Sequence, residues 1–281
     1  MLIFWTFFLT IVGIFLGGNV GDDYLDYTVN WERALIEKEP WQEYSALGQK
    51  NVYGPFHNFM AIFYYFSPTL PKIIYIFIFF FSNYILYKHL NNSNFFEKLK
   101  NKLIFLLILP FNFVFITDVF LFGHNDALVT GFVIFSLILK INKNIFFSGV
   151  FLALSFFEKF YTIFLFPFFF IDFFHTKKFN ELKLFLYGSI ITGIFVMLIT
   201  FFWFGFDLDF LKAIDGQMKI TGMFSYTSSL LWFIEYFPNR LGFLSEVFYK
   251  FLDINTFLIF LFYSIFVIFS LKYKINFYIN L

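Results

Sequence analysis

The sequence predicts an all-α, polytopic membrane protein built as one bundle of helices. Hydrophobic residues make up 60% of the 281 positions, and the mean hydropathy is +0.75. Charged residues make up only 14% of the chain, whereas soluble proteins carry about 25%. Because one bilayer-spanning helix takes about 20 apolar residues, the chain has room for roughly seven to nine of them. No internal repeat or low-complexity linker divides the chain, so we expect a single domain over residues 1–281.

The chain opens with an apolar run followed by a polar stretch. Residues 1–16 are apolar and lack a basic segment before them, so we expect a retained first helix rather than a cleaved signal peptide. Residues 19–53 are polar, but apolar side chains recur there at helical spacing, namely Tyr27, Trp31, Ala34, Leu35 and Ile36. This pattern predicts an amphipathic helix on the membrane surface, ended by Pro40-Trp41.

Further apolar segments follow along the rest of the chain. They lie at residues 55–70, 71–87, 102–122, 127–139, 145–157, 161–174, 184–204 and 256–271. Several are shorter than a full crossing, which predicts tilted or partly buried helices within the bundle. A second long connection, residues 205–255, carries Asp207, Asp209 and Arg240.

Lysines in the connections predict which helix ends face the cytoplasm. Basic residues favour the cytoplasmic side, and they cluster at residues 88–102, 140–143, 177–183 and 272–274. The polar motifs at 123–126 and 158–159 and the 205–255 connection then share the opposite face.

The count of crossings fails by one before residue 88. If helix one places Asp22 and Asp23 on the outer face, two spans between residues 55 and 87 would bring Lys88 back to that outer face, whereas its basic loop favours the cytoplasmic side. Either one of these two segments does not cross fully, or the segment interrupted by Pro110 and Asn112 forms two short helices.

Composition excludes several classes of function. The chain has no cysteine, so it can form no disulfide, thiolate nucleophile or cysteine metal site. Its net charge of +1 offers no large basic surface, so we expect no nucleic-acid partner. The 55 phenylalanines are typical of an AT-rich genome, because Phe, Leu and Ile are nearly interchangeable against lipid, and they do not indicate a ligand cage.

Three acidic residues, Asp22, Asp23 and Asp26, follow the first apolar run. A carboxylate at a membrane interface can act as general base toward a hydroxyl nucleophile. Adjacent carboxylates can instead hold a divalent cation such as Mg²⁺ or Mn²⁺, which would neutralise a phosphate leaving group. A solvated loop start is the third interpretation, and the spacing alone does not choose among them.

Two further motifs place ionisable groups at the ends of apolar segments, where membrane proteins keep them paired or functional. In Gly123-His124-Asn125-Asp126, the amide or the acid could simply cap a helix, or the motif could line a site. Glu158-Lys159 could be a lone ion pair at a helical corner, or the lysine could bind a phosphate oxyanion. Tyr53-Gly54-Pro55-Phe56-His57 is a weaker signal, which a turn also explains.

The order of these motifs resembles that of polyprenol-phosphate-sugar-dependent glycosyltransferases with the GT-C fold. The resemblance is to the alpha-mannosyltransferase group in particular and, more distantly, to the GPI mannosyltransferases. The matching residues are Asp23, Tyr27, Ala34-Leu35, Pro40-Trp41, Gly123 to Leu128, Ser148 to Tyr161 and Leu165-Phe166-Pro167, with Tyr53-Gly54-Pro55 as a partial match. Charged residues replace the glycine that the family has between Leu35 and Pro40. The chain is also shorter than usual for the fold, so late helices are expected to be missing or reduced.

The resemblance implies a GT-C-like transmembrane helical bundle with a long first extracytoplasmic loop. That loop would carry the catalytic acid, which corresponds to Asp23 or Asp22, with Asp23 preferred for its spacing to Tyr27. The acid would deprotonate a hydroxyl of a glycan or lipid acceptor. A hexose, with mannose as first candidate, would then move with inversion from a polyprenyl-phosphate carrier at the outer face of the plasma membrane or of the endoplasmic reticulum.

The resemblance also implies a set of substrate-binding residues. His124, Asn125 and Asp126 would line the sugar or phosphate pocket, and Lys159 would contact the phosphate. Tyr27 and His57 are further candidate substrate-binding residues. A divalent cation, Mg²⁺ or Mn²⁺, could bind at Asp22-Asp23 or at Asp207-Leu208-Asp209, but many members of the fold work without a metal.

A multi-pass transporter or flippase is the main rival function. In that case Asp126, Glu158 and Lys159 would be intramembrane coupling residues. Transporters usually show matched halves with broken helices at corresponding positions, and none is found in this sequence. An inactive subunit that keeps the bundle without the chemistry is the third candidate.

Overall fold

The computed structural model describes residues 22–41, 51, 53–92, 124–205 and 261–271, and every element in these ranges is a helix. In chain order they are α1 (Asp22–Ile36), α2 (Pro55–Phe66), α3 (Leu70–Asn92), α4 (Asp126–Ile141), α5 (Ile145–Glu158), a 3₁₀ helix (Phe160–Leu165), α6 (Phe166–His175), α7 (Phe179–Phe204) and α8 (Leu261–Leu271). The predicted helical class is confirmed for this part of the chain. The predicted helices at 1–16 and 102–122, and nearly all of the 205–255 connection, lie outside the described residues.

Two described helices, α3 and α7, are long and apolar enough to cross a membrane by length and composition alone. They contain 23 and 26 residues, about 35 and 39 Å at 1.5 Å per residue, against a hydrocarbon core of about 30 Å. Both are longer than the predicted segments 71–87 and 184–204, because each helix continues through polar residues that hydropathy leaves out. The helices α5 and α8 and the stretch Phe160–His175 are apolar but shorter.

Helix α1 turns one face of aromatic and small side chains toward the bundle. Tyr24, Tyr27, Trp31 and Ala34 recur every three or four residues and are all buried. Ile36 was expected on this face but is 80% exposed, because two steps of about 100° from Ala34 carry it to the far side.

The end of α1 differs slightly from the prediction. The helix stops where Lys38 adopts a left-handed conformation (φ 60°) and its N–H donates to the Arg33 carbonyl at 2.9 Å. Pro40 follows this turn, so the proline bars continuation of a helix that has already ended.

Helices α5 and α7 meet through two glycines. A Cβ on Gly149 would lie 2.1 Å from the Phe185 carbonyl oxygen, and one on Gly188 would lie 2.1 Å from the Phe146 carbonyl oxygen. Such a backbone contact is open only to glycine, since the added methyl group would overlap the oxygen. Ser189 adds a hydrogen bond from its hydroxyl to the Gly149 carbonyl at 3.1 Å. This contact fixes the position of α5, whose last residue is Glu158.

Helix α4 packs between α3 and α5. Gly131 lies so close to Ile78 of α3 that a Cβ would be 2.7 Å from its Cγ2 atom. On the other side, the Ser136 hydroxyl donates to the Ser148 carbonyl at 2.8 Å. These contacts fix where α4 begins, at Asp126.

The antiparallel pair α4 and α5 gives the bundle two chemically different ends. The start of α4 and the end of α5 form what we call the polar end, with Asn125, Asp126, Glu158 and Lys159. The other end, called the lysine end, holds the α4–α5 turn and the start of α7, with Lys140, Lys143, Lys177 and Lys178. At the lysine end, Lys140 Nζ lies 2.9 Å from Asp172 Oδ2.

Helix α2 starts and finishes at the polar end. It has 12 residues, about 18 Å, which is too short for the hydrocarbon core. The Tyr24 hydroxyl donates at 2.6 Å to the carbonyl of Pro68, just after α2, while Tyr27 of the same helix reaches Asn125. Helix α3 therefore also begins at the polar end, and Lys88 near its other terminus lies toward the lysine end. Both ends of α2 therefore lie at the polar end. The segment with Pro110 and Asn112, to which the other resolution of the crossing count refers, lies outside the described residues.

Candidate functional site

Side chains from two helix ends converge on a carboxylate oxygen supplied by a third helix end at the polar end. His57 Nδ1 lies 2.8 Å from Glu158 Oε1, and Asn125 Nδ2 donates to the same oxygen at 2.6 Å. Along the chain these partners are 101 and 33 residues apart. All three residues are fully buried. We call them the inner cluster.

The start of α2 is pressed against the end of α5, and this contact positions the inner cluster. The Gly54 N–H donates to the Glu158 carbonyl at 3.1 Å, and a Cβ on Gly54 would lie 2.0 Å from the Phe157 carbonyl oxygen. Pro55 begins the helix, where a missing N–H costs nothing. His57 follows in the first turn, which brings its ring to Glu158. The partial motif Tyr53-Gly54-Pro55 thus builds one wall of the site.

Asn125 stands at the N-cap position of α4, but its side chain makes no capping hydrogen bond. Its Nδ2 group faces Glu158, and its Oδ1 atom accepts a hydrogen bond from the Tyr27 hydroxyl at 3.1 Å. The interpretation of Asn125 as a simple cap is therefore wrong. The amide instead links α1 to α5.

The inner cluster offers Glu158 Oε1 two nitrogen partners. If Glu158 is ionised, this oxygen can only accept, and His57 Nδ1 then carries the hydrogen that it donates. Asn125 Nδ2 and His57 Nδ1, which both lie within hydrogen-bond distance of this oxygen, are 3.2 Å apart. Hydrogen bonds that an ionised carboxylate accepts are stronger than those to a neutral oxygen.

Aromatic side chains enclose the His57 imidazole. The ring stacks on Trp31 at a centroid distance of 5.3 Å, and Tyr27 and Tyr53 approach it at 4.8 and 4.5 Å. The Trp31 indole N–H donates to the His57 carbonyl at 3.0 Å. Tyr27 and Trp31 are four residues apart on the buried face of α1, so that spacing already placed them side by side.

An outer pair, Asp126 and Lys159, lies directly beside the inner cluster. Lys159 Nζ is 2.9 Å from Asp126 Oδ1, and the Tyr161 hydroxyl donates to the same oxygen at 2.8 Å. The Lys159 ammonium also lies 5.5 Å from the centre of the Tyr53 ring. The side chains of Asp126 and Lys159 are 33% and 12% exposed, so this pair is the open part of the site.

The two charges of the outer pair stabilise each other. Burial acts to raise the pKa of Asp126, but the Lys159 ammonium and the hydrogen bonds from Lys159 and Tyr161 outweigh burial and hold it below its ordinary value of 3.8. Burial likewise acts to lower the pKa of Lys159, and the Asp126 carboxylate outweighs it and raises that pKa. Both groups are therefore charged at neutral pH.

Glu158 and Lys159 do not pair with each other, although they are adjacent in sequence. Glu158 is the last residue of α5, whereas Lys159 has extended backbone angles (φ −139°, ψ 120°). This change of conformation sends one side chain inward to His57 and the other outward to Asp126. The interpretation as a lone ion pair at a helical corner is wrong, and the central place of Glu158 was missed for the same reason.

Some buried polar atoms near the cluster have no partner among the described residues. They are His57 Nε2, Glu158 Oε2 and the Tyr75 hydroxyl. The Tyr75 hydroxyl lies within electrostatic range of the Glu158 carboxylate. The cluster thus keeps hydrogen-bonding capacity beyond the contacts within it.

Most of the substrate-binding residues implied by the sequence come together here. The structure gathers Tyr27, His57, Asn125, Asp126 and Lys159, and half-buried His124 adds to the positive potential at Asp126. Asp22 and Asp23 form the first turn of α1, and Asp23 precedes Tyr27 by one helical turn. The residues Asp207, Asp209 and Arg240 lie outside the described residues.

Metal binding was left open by the sequence. In the described ranges, no group of three or more histidine or carboxylate side chains is placed to hold a metal ion. The side chains of Asp22 and Asp23, where a cation was considered, lie outside this description.

Comparison of the chain with models of known protein families, with curated proteins and with solved structures finds no match.

Proposed function

We propose that this chain is an integral membrane glycosyltransferase. It would transfer a hexose, with mannose as first candidate, from a polyprenyl-phosphate carrier to a hydroxyl of a glycan or lipid. The observation that carries the proposal is the convergence of four separate motifs, at residues 27, 57, 125–126 and 158–159, on one locus at the polar end. Three of these motifs, at residues 27, 125–126 and 158–159, belong to the resemblance to the GT-C glycosyltransferases, and His57 closely follows its partial match Tyr53-Gly54-Pro55.

The surface of α7 supports insertion in a membrane. Large apolar side chains are exposed along its length, among them Tyr187, Ile190, Ile194, Phe195, Leu198 and Phe202. Water-soluble proteins rarely expose an apolar patch of this size, whereas lipid chains cover it without cost. A donor with a polyprenyl tail would reach the polar end through the same lipid phase.

The start of α1 supplies the acid for the reaction. Asp23 stands one helical turn before Tyr27, which binds Asn125 of the inner cluster. Its carboxylate would accept the proton of the acceptor hydroxyl. Asp22 is the neighbouring candidate for the same role.

Lys159 would receive the phosphate of the donor. An ammonium group has three N–H donors, and the described contacts with Asp126 use one of them. The 2.9 Å contact holds the ammonium at the open part of the site, where a phosphate oxygen can accept a second N–H. Asp126 in this role orients the lysine.

The reaction follows from these assignments. The acceptor oxygen attacks the anomeric carbon of the sugar as its proton passes to Asp23. The bond from that carbon to the phosphate oxygen breaks, and its electron pair leaves with the polyprenyl phosphate. Attack from the side opposite the leaving group inverts the configuration at the sugar carbon.

The test is transfer of radiolabelled mannose from polyprenyl-phosphate mannose to acceptors in membranes that contain the protein. Wild-type membranes should incorporate label, and membranes with Asp22→Asn/Asp23→Asn should not. Glu181→Gln is the matched control, because it removes a carboxylate that pairs with Lys178 at the lysine end. The control should incorporate label as wild type does.

Two results would overturn the proposal. Equal incorporation by wild type and the Asp22→Asn/Asp23→Asn variant would remove the assigned base. No incorporation from any lipid-linked sugar would favour the transporter or the inactive subunit instead.

A further inference from the structure

We propose that Glu158 is a positioning residue of the site, and that its negative charge fixes the protonation form of His57 and the place of Asn125. The role assigned to this residue in transfer rests on the proposed function, whereas its effect on His57 does not. In the glycosyltransferase interpretation of the sequence, Lys159 contacts the phosphate and Glu158 has no assigned role.

Glu158 is the point at which three parts of the chain meet. Its Oε1 atom binds His57 of α2 and Asn125 before α4, and its backbone carbonyl binds the Gly54 N–H before α2. The side chain is fully buried. Removing it would therefore leave two buried donors without their acceptor.

The charge of Glu158 is the feature that a merely space-filling residue would lack. Hydrogen bonds to a carboxylate are about twice as strong as those to a neutral oxygen. The polar groups around it are His57, Asn125, Tyr75 and, through the outer pair, Lys159 and Asp126. Since Lys159 is taken up by Asp126, His57 is the partner on which the Glu158 charge acts most directly.

The inner and outer contacts are successive rungs between the same two chain segments. Asn125 binds Glu158. The residues that follow these two in the sequence, Asp126 and Lys159, bind each other. A shift of the buried Asn125–Glu158 contact therefore moves the neighbouring Asp126–Lys159 contact, where the donor phosphate would bind. In this way Glu158 positions the substrate-binding pair without touching substrate.

The direct test is ¹⁵N NMR of histidine-labelled protein in nanodiscs. The chain has only four histidines, so the His57 signals can be assigned by their loss in His57→Gln. Wild type should show a hydrogen on His57 Nδ1. A neutral His57 with its hydrogen on Nε2 would overturn the proposal. The measurement is made on the wild-type protein, and His57→Gln is the only variant that it requires.

The matched variant is Glu158→Gln, which keeps the size and an acceptor oxygen but removes the charge. The His57 signals should change, while those of His89 and His175, which lie away from the polar end, stay as in wild type. Glu181→Gln at the lysine end should leave all four unchanged. Identical His57 signals in wild type and Glu158→Gln would show that the charge has no such effect.

The kinetic test uses the same variants. Glu158→Gln should lower kcat for transfer by about 10- to 100-fold, the range found when a supporting residue behind a site is removed. The KM for the donor should rise in the same variant, because the Asp126–Lys159 pair that would bind the phosphate moves with the inner cluster, whereas the KM for the acceptor should change by less than about threefold. Unchanged kcat would overturn the positioning role. A wild type without transfer activity would instead reject the proposed function, and the NMR result would still stand.

Discussion

Lys159 Nζ lies 2.9 Å from Asp126 Oδ1 at the polar end, and Lys140 Nζ lies 2.9 Å from Asp172 Oδ2 at the lysine end. The two pairs have the same contact distance and similar burial. They differ in surroundings, because only the first adjoins the inner cluster. Each pair therefore serves as the control for the other.

We predict that Lys159→Met weakens use of the lipid-linked donor and that Lys140→Met does not. Loss of one donor to a developing phosphate charge should lower kcat/KM for the donor by about 100-fold or more. The acceptor KM should change little. Both constants are measured by transfer assays with each substrate varied in turn. Equal effects on donor and acceptor would argue that Lys159 is structural only.

We predict that the Asp126–Lys159 pair contributes to stability at neutral pH and loses that contribution in acid. Because the pKa of Asp126 is lowered in the folded protein, the contribution is fully present above the unfolded value of about 3.8 and declines as pH falls through the folded pKa. The raised pKa of Lys159 keeps the ammonium charged throughout this range. The Tm difference between wild type and Asp126→Asn/Lys159→Met should be constant from about pH 5 to 8 and shrink below about pH 4. A difference that grows in acid would contradict the prediction.

We predict that Gly149→Ala disrupts the bundle whereas Gly193→Ala is tolerated. The new methyl at 149 would meet the Phe185 carbonyl oxygen at 2.1 Å, and such overpacking costs about 1 to 3 kcal/mol or more. At 193 the closest atom is Phe157 Cζ at 3.4 Å, an ordinary contact, and alanine is the better helix former by about 0.5 to 1 kcal/mol. Thermal unfolding in detergent measures both. A lower Tm for Gly193→Ala than for Gly149→Ala would refute the assigned contact.

We predict that Tyr75→Phe does not destabilise the protein. The Tyr75 hydroxyl is buried without a partner in the described part of the structure, and an unsatisfied buried hydroxyl costs about 1 to 3 kcal/mol. Removing the hydroxyl should leave the Tm unchanged or raise it. A fall in Tm would show that the hydroxyl has a partner, and a fall in transfer alone would assign that partner to the substrate.

We predict that the polar and lysine ends face opposite sides of a membrane. The chain has no cysteine, so single cysteines can be introduced without further changes. Lys143→Cys and Lys177→Cys should react with an impermeant maleimide from one side, and Pro68→Cys from the other. Pro68 follows α2 and is exposed. Labelling of Pro68→Cys from the same side as Lys143→Cys would mean that α2 crosses after all.

The sequence predicted the described helices because hydropathy and spacing reflect the local environment of each residue. The buried face of α1 followed from the spacing of Tyr27 and Trp31, and the start of α2 followed from Pro55. The predicted helix boundaries were less accurate, because α3 and α7 continue beyond their apolar segments through lysines and asparagines that are still helical. That both ends of α2 lie at the polar end could not be predicted, since it depends on the contact between Tyr24 and the Pro68 carbonyl, 44 residues apart.

The sequence predicted which residues belong to the site, but it did not predict which of them bind each other. His57, Asn125 and Lys159 were each recognised as polar residues at the ends of apolar segments. Their partners depend on contacts between residues up to 101 positions apart, and no local pattern encodes these. The extended conformation of Lys159 separates its side chain from that of Glu158, and this single backbone change decides which residue enters the inner cluster.

The 101-residue separation of His57 and Glu158 has a consequence for synthesis of the chain. At about 5 to 20 residues per second, a ribosome adds Glu158 roughly 5 to 20 seconds after His57. Throughout that interval the imidazole and the Gly54 N–H lack the partners that they have in the finished protein. The polar end is thus completed only after α5 has been synthesised, and until then these two groups bind water or other partners.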